Sequence, residues 1–369
     1  MIFQILSQGL LLFSHAVLCL FLLAFCRFHS ARDPRSYIFE PNEGYRPQYS
    51  IKRVKEALQF ISKFNKPSKR LEFSSGNLAK MICIGIATVK RPLEQNLDVT
   101  IGSLLEGLSQ KGLSAISLHV LFAHSNPLDH PVYSHPRVSN VVDTILTYET
   151  VGSPLAAHEV LEKQQKIAEK SLSDYRLTLK SCYNRTTALW IVILDDVLAQ
   201  KNWYEHTLQS LQTVRAWESR GVIKSWLYLQ LFYTEKLLGS NSEDWPVYLV
   251  WCLVASSLPT WVGVLTVQPM RAGVHLMNRF GCCSQALLFP REKVPVLRDY
   301  FEYRRTTSPK PVDSVIEALA DKAGFDRLAV SLSQMQHVGA FSYKENRKSY
   351  TWKGPHTVRG AHDGTRYMT

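Results

Sequence analysis

Four short apolar runs, each followed or preceded by a longer stretch with helical spacing, constrain this chain more than any other feature. Met81 to Val89, Leu118 to Ala123, Val141 to Leu146 and Trp190 to Leu194 are rich in β-branched and large apolar residues and too short to be buried helices. Asn96 to Gln110 carries a helical pattern between the first two. Glu159 to Cys182 is charged, poor in breakers, and places Leu161, Ile167, Leu172, Tyr175 and Leu179 near helical spacing before the last run. Strands alternating with helices predict an α/β domain built on a mostly parallel sheet, whose ligands bind at the carboxyl ends of its strands.

The run from Trp190 ends in Asp195 and Asp196. A carboxylate pair at a strand exit can hold a hard cation such as Mn²⁺ or Mg²⁺, which takes oxygen ligands and leaves positions for substrate phosphates. The same two acids can also simply open a turn before a helix over Lys201 to Leu211.

Composition narrows the classes. In 369 residues, 43 Lys and Arg exceed 31 Asp and Glu, but the excess is spread thinly and no basic-aromatic motif accompanies it. That pattern disfavours nucleic acid and suits anionic phosphate substrates or lipid head groups. Seven cysteines form neither a dense disulfide framework nor a zinc-ribbon spacing.

Two apolar stretches point to a membrane. Ile5 to Phe25 is almost uncharged and long enough to cross most of a ~30 Å hydrocarbon core, which predicts an anchor within residues 1–30. A cleaved signal peptide ending near Ala24 and Cys26 is the alternative. Arg27, Arg32 and Arg35 follow, and the positive-inside rule would put the remainder in the cytoplasm. The second stretch, Pro246 to Val267, is interrupted at Ser256-Ser257-Leu258-Pro259 and reads as a kinked span, a re-entrant hairpin or a buried core helix. Around these stretches the chain divides into an anchor (1–30), a stem with a lead-in helix (31–79), a first α/β half (80–244), a membrane insertion (245–268), a second half (269–345) and a basic polar tail (346–369).

Four segments together carry a family resemblance. They are Ile84-Gly-Ile-Ala-Thr88-Val-Lys-Arg91; Asp174 to Cys182 leading to Leu194-Asp-Asp-Val197; Phe280-Gly-Cys-Cys-Ser-Gln-Ala-Leu-Leu-Phe-Pro-Arg291; and Gln336-His337-Val-Gly339. Over roughly residues 50 to 345 the chain resembles the glycosyltransferases that add N-acetylgalactosamine to glycosylphosphatidylinositol (GPI) anchors after their attachment to proteins, particularly fungal membrane relatives. The Gly-Cys-Cys-Ser-Gln block and its spacing to Gln-His-Val-Gly are the specific part.

The resemblance implies a Rossmann-like GT-A fold, with a nucleotide-sugar half (80–244) and an acceptor half (269–345) interrupted by the membrane insertion, at the Golgi or endoplasmic reticulum membrane with its catalytic domain in the lumen, in conflict with the positive-inside reading. It implies a UDP-sugar donor carrying N-acetylgalactosamine or galactose, Mn²⁺ or Mg²⁺, and a GPI-anchored protein or GPI glycolipid as acceptor. Thr88 and Arg91 would lie beside the nucleotide, Arg91 using its planar fork. Asp196 would bind the metal and Asp195 the ribose or a metal-bound water; relatives more often carry Glu-Asp-Asp where this chain has Leu194-Asp195-Asp196. His337 would be a further metal ligand. Asp313, in Pro311-Val-Asp-Ser, is the candidate general base, with helix capping as its structural alternative. Adjacent Cys282 and Cys283 are ill-placed to bond each other, and in an oxidising lumen one of them could pair with Cys182 or Cys83. Asn184-Arg-Thr186 is a glycosylation sequon. A non-catalytic GPI- or glycan-binding membrane protein on the same scaffold, or a transferase for another glycan, are the alternative functions.

Overall fold

The computed structural model describes residues 48–66, 71, 80–91, 95–232, 273–277, 284–331, 333–338, 341–342 and 347–348, together with seven residues between 13 and 24. Pro246 to Val267, Cys282, Cys283 and Gly339 lie outside the described residues, as does most of Ile5 to Phe25. Among the described residues no helix is long and apolar enough to cross a membrane.

In chain order the elements are α1 (Gln48–Ser62), β1 (Ile82–Thr88), α2 (Leu97–Leu105), α3 (Gln110–Ala115), β2 (Ile116–Phe122), α4 (Pro136–Ser139), β3 (Thr144–Leu146), α5 (Leu155–Lys163), α6 (Ile167–Arg185), β4 (Trp190–Leu194), β5 (Val197–Ala199) and α7 (Trp203–Ser219). They continue with β6 (Trp226–Gln230), β7 (Gly273–Leu276), β8 (Leu287–Pro290), α8 (Val294–Thr307), α9 (Val312–Ala323), β9 (Asp326–Ser331), β10 (Met335–His337), β11 (Phe341–Ser342) and β12 (Arg347–Lys348). The core is one eight-stranded sheet in the order β3-β2-β1-β4-β8-β6-β9-β7. The runs β3-β2-β1-β4 and β6-β9 are parallel, while β8 and β7 are antiparallel to their neighbours. The sheet is therefore mostly parallel and Rossmann-like, in agreement with the α/β expectation.

Burial on both faces explains why these strands read as continuous apolar runs. Ile82, Ile84 and Ile86 of β1 face one layer with Ile101 and Leu104 of α2 and Trp203 of α7. Cys83 of β1, with Ile191 and Ile193 of β4, faces the other, against Leu179 of α6, Phe301 of α8 and Ile316 of α9. At Gly85 the approach is so close that a Cβ would lie 2.4 Å from Thr178 Cγ2. A side chain there would hold α6 off the sheet.

Three sequence expectations change. Glu159 to Cys182 is two helices, α5 and α6, separated at Gln165, whose φ of 51° is left-handed. The capping alternative for Asp313 fails, because α9 begins at Val312 with Pro311 before it, so Asp313 stands in the first turn and is not the cap. Cys83 and Cys182 are bonded to each other across β1 and α6, which leaves neither for Cys282 or Cys283. The parallel pairing of β1 with β2 and the packing of α6 on β1 bring the two sulfurs together from 99 residues apart.

Candidate metal and donor site

The strand order reverses direction of growth at β1: β2 and β3 lie on one side of it, β4 on the other. That switch leaves a crevice between the carboxyl ends of β1 and β4, where ligands bind in open α/β sheets. Thr88 ends β1, and Arg91 follows three residues later; Asp195 and Asp196 follow β4. The two sides meet. Arg91 Nη2 donates to Asp195 Oδ1 at 3.0 Å and also ion-pairs with Asp196 Oδ2. Arg91 and Asp196 are buried, 8% and 7% exposed, whereas Asp195 is half-exposed.

The backbone is arranged to hold this contact. Asp196 has a φ of 45°, in the left-handed region that Asp enters more readily than most residues, and this turn separates β4 from β5. Downstream, β5 is fixed on several sides. Ala199 donates its N–H to Ser103 Oγ at 2.9 Å, and its carbonyl accepts from buried Arg53 Nε of α1 at 3.0 Å. β10 pairs antiparallel with β5, placing His337 opposite Val197, and Val338 N donates to the Asp196 carbonyl at 2.9 Å. On the other side of the crevice, Gln95 Nε2 donates to the Arg91 carbonyl at 2.6 Å and its Oε1 accepts from Arg91 N at 3.4 Å. Ladder, salt bridge and side-chain ties on both walls make this a preorganised turn.

The electrostatics are unequal. Burial and the charge of Asp195 push the Asp196 carboxyl up to about 7, against the opposing pull of Arg91. Burial disfavours the Arg91 guanidinium, but the two carboxylates outweigh it and its pKa is raised. One guanidinium shared by two acids neutralises only one of them. Asp196 Oδ2 has the ion pair but no well-angled hydrogen-bond donor. A buried carboxylate oxygen short of donors beside a second carboxylate is what a hard divalent cation would satisfy, so the pair fits an oxygen-ligated metal.

The remaining candidates fall nearby with different engagements. Thr88 is buried and its Oγ1 lies 3.1 Å from His130 Nε2. His337 is half-buried and adjoins the Asp196 turn through the backbone ladder, but its ring nitrogens and both carboxylates do not all fall within 4.8 Å. Among the described residues the group that does gather so closely is Cys83, His119 and Cys182, of which the two cysteines form the disulfide. Asp313 is half-buried and its Oδ1 accepts from Ser314 N at 2.8 Å. Because α9 leads into β9, which runs parallel to β6 and hence to β4, its first turn points toward the edge of the sheet that carries Asp195 and Asp196.

The motif reading missed two histidines. His124 Nε2 accepts from Lys90 N at 2.6 Å, and His130 holds Thr88, so both grip the loop that carries Arg91. Burial lowers the pKa of both, that of His130 to about 4. They act as neutral struts. The available signal was His124 two residues beyond the end of a buried strand, at the same edge as Thr88.

Comparison with known proteins returned no matching family model and no matching curated sequence.

Proposed function

We propose that this chain is a membrane-associated glycosyltransferase of GT-A type that transfers a sugar from a UDP-sugar to the mannose core of GPI anchors with a divalent cation. The observation that carries the reading is the carboxylate pair at the β4 exit, facing Arg91 across the switch-point crevice. The negative charge of a nucleoside diphosphate can be met by a cation and a guanidinium together, and the crevice offers residues that would hold the first and supplies the second. The order β3-β2-β1-β4 followed by antiparallel β8, with a small β5–β10 ladder beside the carboxylates, supports the GT-A form.

In this reading Asp196 and Asp195 would hold Mn²⁺ or Mg²⁺, with His337, on the strand paired with β5, as the further ligand proposed. The bound cation would supply Lewis-acid stabilisation of the departing diphosphate. Arg91 binds diphosphate oxygens through its fork, and Thr88 lines the nucleotide side of the crevice. Asp313 takes the proton from the acceptor hydroxyl, a role its half-exposed position at the same sheet edge permits.

Three features support a lumenal, membrane-proximal enzyme at the Golgi or endoplasmic reticulum. The Cys83–Cys182 disulfide belongs to oxidising compartments. Asn184 of the sequon is exposed in the last turn of α6. Phe13, Val17, Leu18, Leu20 and Phe21 of the first apolar stretch are exposed apolar side chains, suited to lipid and to an acceptor held near the bilayer.

The test is calorimetric titration of the detergent-solubilised full chain with UDP-N-acetylgalactosamine and UDP-galactose, with and without Mn²⁺, followed by transfer to a GPI-anchored acceptor. Metal-dependent binding of either donor that Asp196→Ala abolishes supports the reading. Donor affinity indifferent to metal and to Asp196 would leave the pair as a turn element. Metal-dependent donor binding without transfer to any GPI acceptor would favour a transferase for another glycan.

A further inference from the structure

We infer that Asn184 accepts an N-linked glycan only from the unfinished chain, before the Cys83–Cys182 bond and Arg291 lock the end of α6 around it. The inference rests on the lumenal part of the proposed function and is independent of the donor site. Asn184-Arg-Thr186 is the one Asn-X-Ser/Thr sequence in the 369 residues. Asn184 is exposed, so the folded surface has room for the glycan. Acceptance is a stricter condition than room. Transfer forms a bond from Asn184 Nδ2 to the anomeric carbon of an oligosaccharide as that carbon's bond to a lipid diphosphate breaks; the amide gives up a proton and the lipid diphosphate leaves. The transferring enzyme must hold the side-chain amide and the hydroxyl two residues on together, which requires the segment to leave its helix.

The folded chain withholds that segment. Asn184 stands in the last turn of α6, and Thr186 follows as its cap. Thr186 Oγ1 donates to the Cys182 carbonyl at 2.8 Å and accepts from Ala188 N at 3.3 Å, so the hydroxyl is engaged in both directions. Arg291 clamps the segment before and after the sequon. Its Nη2 donates to the Tyr183 carbonyl at 2.6 Å and its Nη1 to the Ala188 carbonyl at 3.5 Å, while Arg291 N donates to the Leu189 carbonyl at 3.0 Å. The guanidinium also lies 4.4 Å over the Tyr183 ring. On the other side, Cys182 is tied to Cys83 of buried β1. A local opening that releases the sequon must break these ties together. Chain order sets the sequence of events. Cys83 lies 99 residues upstream of Cys182 and is made before the sequon, whereas Arg291 comes 108 residues after Tyr183. Oxidation of the two thiols, which gives two electrons and two protons to a disulfide oxidant of the compartment, therefore begins to close the site, and the arrival of Arg291 completes the closure.

The experiment pulse-labels the full chain in a eukaryotic host and reads the mobility shift that an N-glycan endoglycosidase removes, with Asn184→Gln as the blank. Dithiothreitol present during the pulse, or Cys83→Ser without it, should raise the glycosylated fraction at least about twofold over the wild type. After synthesis is stopped with cycloheximide, that fraction should stay constant in the wild type and continue to rise in Arg291→Met. A second sequon controls for compartment. Gly107→Asn completes one with Ser109 in an exposed turn, where no atom lies within 4 Å of an added Cβ and the φ of 85° is one that Asn tolerates. With the control glycosylated, Asn184 bare under every condition overturns its role as acceptor and leaves the lumenal reading standing. Occupancy of Asn184 indifferent to reductant, to Cys83→Ser and to Arg291→Met overturns the closure. Both sequons bare would place the domain outside the lumen and overturn the inference together with that reading.

Discussion

Two buried polar clusters lie on β1 and its neighbours within one sheet, and they are built on opposite principles. The first surrounds the disulfide. His119 of β2 lies beside Cys83 and Cys182, its Nδ1 2.9 Å from Ser181 Oγ and its Nε2 3.2 Å from Ser117 Oγ. Burial lowers its pKa to about 4, so it is neutral, and both ring nitrogens are engaged. The second is the Arg91, Asp195 and Asp196 crevice, which sets two carboxyls against one guanidinium and keeps a left-handed residue and a carboxylate oxygen short of well-angled donors. A satisfied, neutral cluster stabilises a fold, while a charged and incompletely satisfied one at a strand end is poised for a ligand. The contrast argues that the cysteines and His119 are architecture, although they are the tightest group of potential ligands, and that chemistry belongs at the β4 exit.

Removing the disulfide should give the largest effect. It closes a span of 99 residues, for which the loss of unfolded-state freedom corresponds to about 5 kcal/mol. Cys83→Ser with Cys182→Ser should lower the urea midpoint markedly, while Mn²⁺-dependent UDP binding by the folded fraction stays within a few-fold. Donor binding lost in step with the bond would erase the distinction between the two clusters.

Acid should expose the first cluster next. His119 has a folded-state pKa of about 4, below the ordinary 6.5, so the unfolded chain binds the proton more readily. Stability from this group is complete above pH 6.5 and is lost as pH falls toward 4, by up to about 3 kcal/mol. His119→Gln should flatten the fall in urea midpoint between pH 7 and 4.5. An unaltered slope would mean that the imidazole takes a proton without cost and is not a neutral strut. His130, also near 4, contributes with the same sign and remains in the variant as an internal reference.

The second cluster should break in the opposite manner. Asp196→Asn keeps the shape of the turn and removes the charge that burial disfavours, so UDP–Mn²⁺ affinity should fall at least a hundredfold, on the order of 3 kcal/mol, with the thermal midpoint unchanged or higher. A large drop in midpoint would place Asp196 with the architectural group.

How far either cluster could be read from the sequence depends on how local its determinants are. β1, β2 and β4 fall close to the apolar runs Met81 to Val89, Leu118 to Ala123 and Trp190 to Leu194, because burial on both faces selects unbroken apolar residues. The break at Gln165 was not legible, since a left-handed residue without glycine leaves no pattern in a charged helix. β6, β8 and β9 were not singled out, being short buried strands amid helical segments with no alternation to mark them. At the site, Asp195 and Asp196 announce themselves by position at a strand exit. Their salt bridge with Arg91, the ladder that sets His337 opposite Val197 and the bracing by His124 and His130 are products of tertiary pairing. The Cys83–Cys182 partnership is similar: it depends on which face of β1 meets α6.

That shared face supplies the smallest and most local test. Cys83, Gly85 and Ala87 alternate on β1, and the face that carries Cys83 also carries Gly85, so α6 is drawn to the sheet by a bond at one point and by an absent side chain at the next. Adding a methyl group in Gly85→Ala puts carbon 2.4 Å from Thr178 Cγ2 and 2.9 Å from Ile193 Cδ1, an overpacking worth about 1–3 kcal/mol. Thr178→Ser removes the nearer obstacle and keeps the hydroxyl that donates to the Asp174 carbonyl at 2.8 Å. The double variant should therefore recover more than half of the stability lost in Gly85→Ala, read as a coupling in a double-mutant cycle of urea midpoints. Because Gly85 sits between Cys83 and the Thr88 end of the same strand, the cycle also asks whether strain applied at the architectural cluster reaches the crevice. UDP–Mn²⁺ affinity unchanged in Gly85→Ala would show that the two clusters are independent within one strand. An affinity that falls and then returns with Thr178→Ser would show that the seating of α6 sets the position of the Arg91 loop.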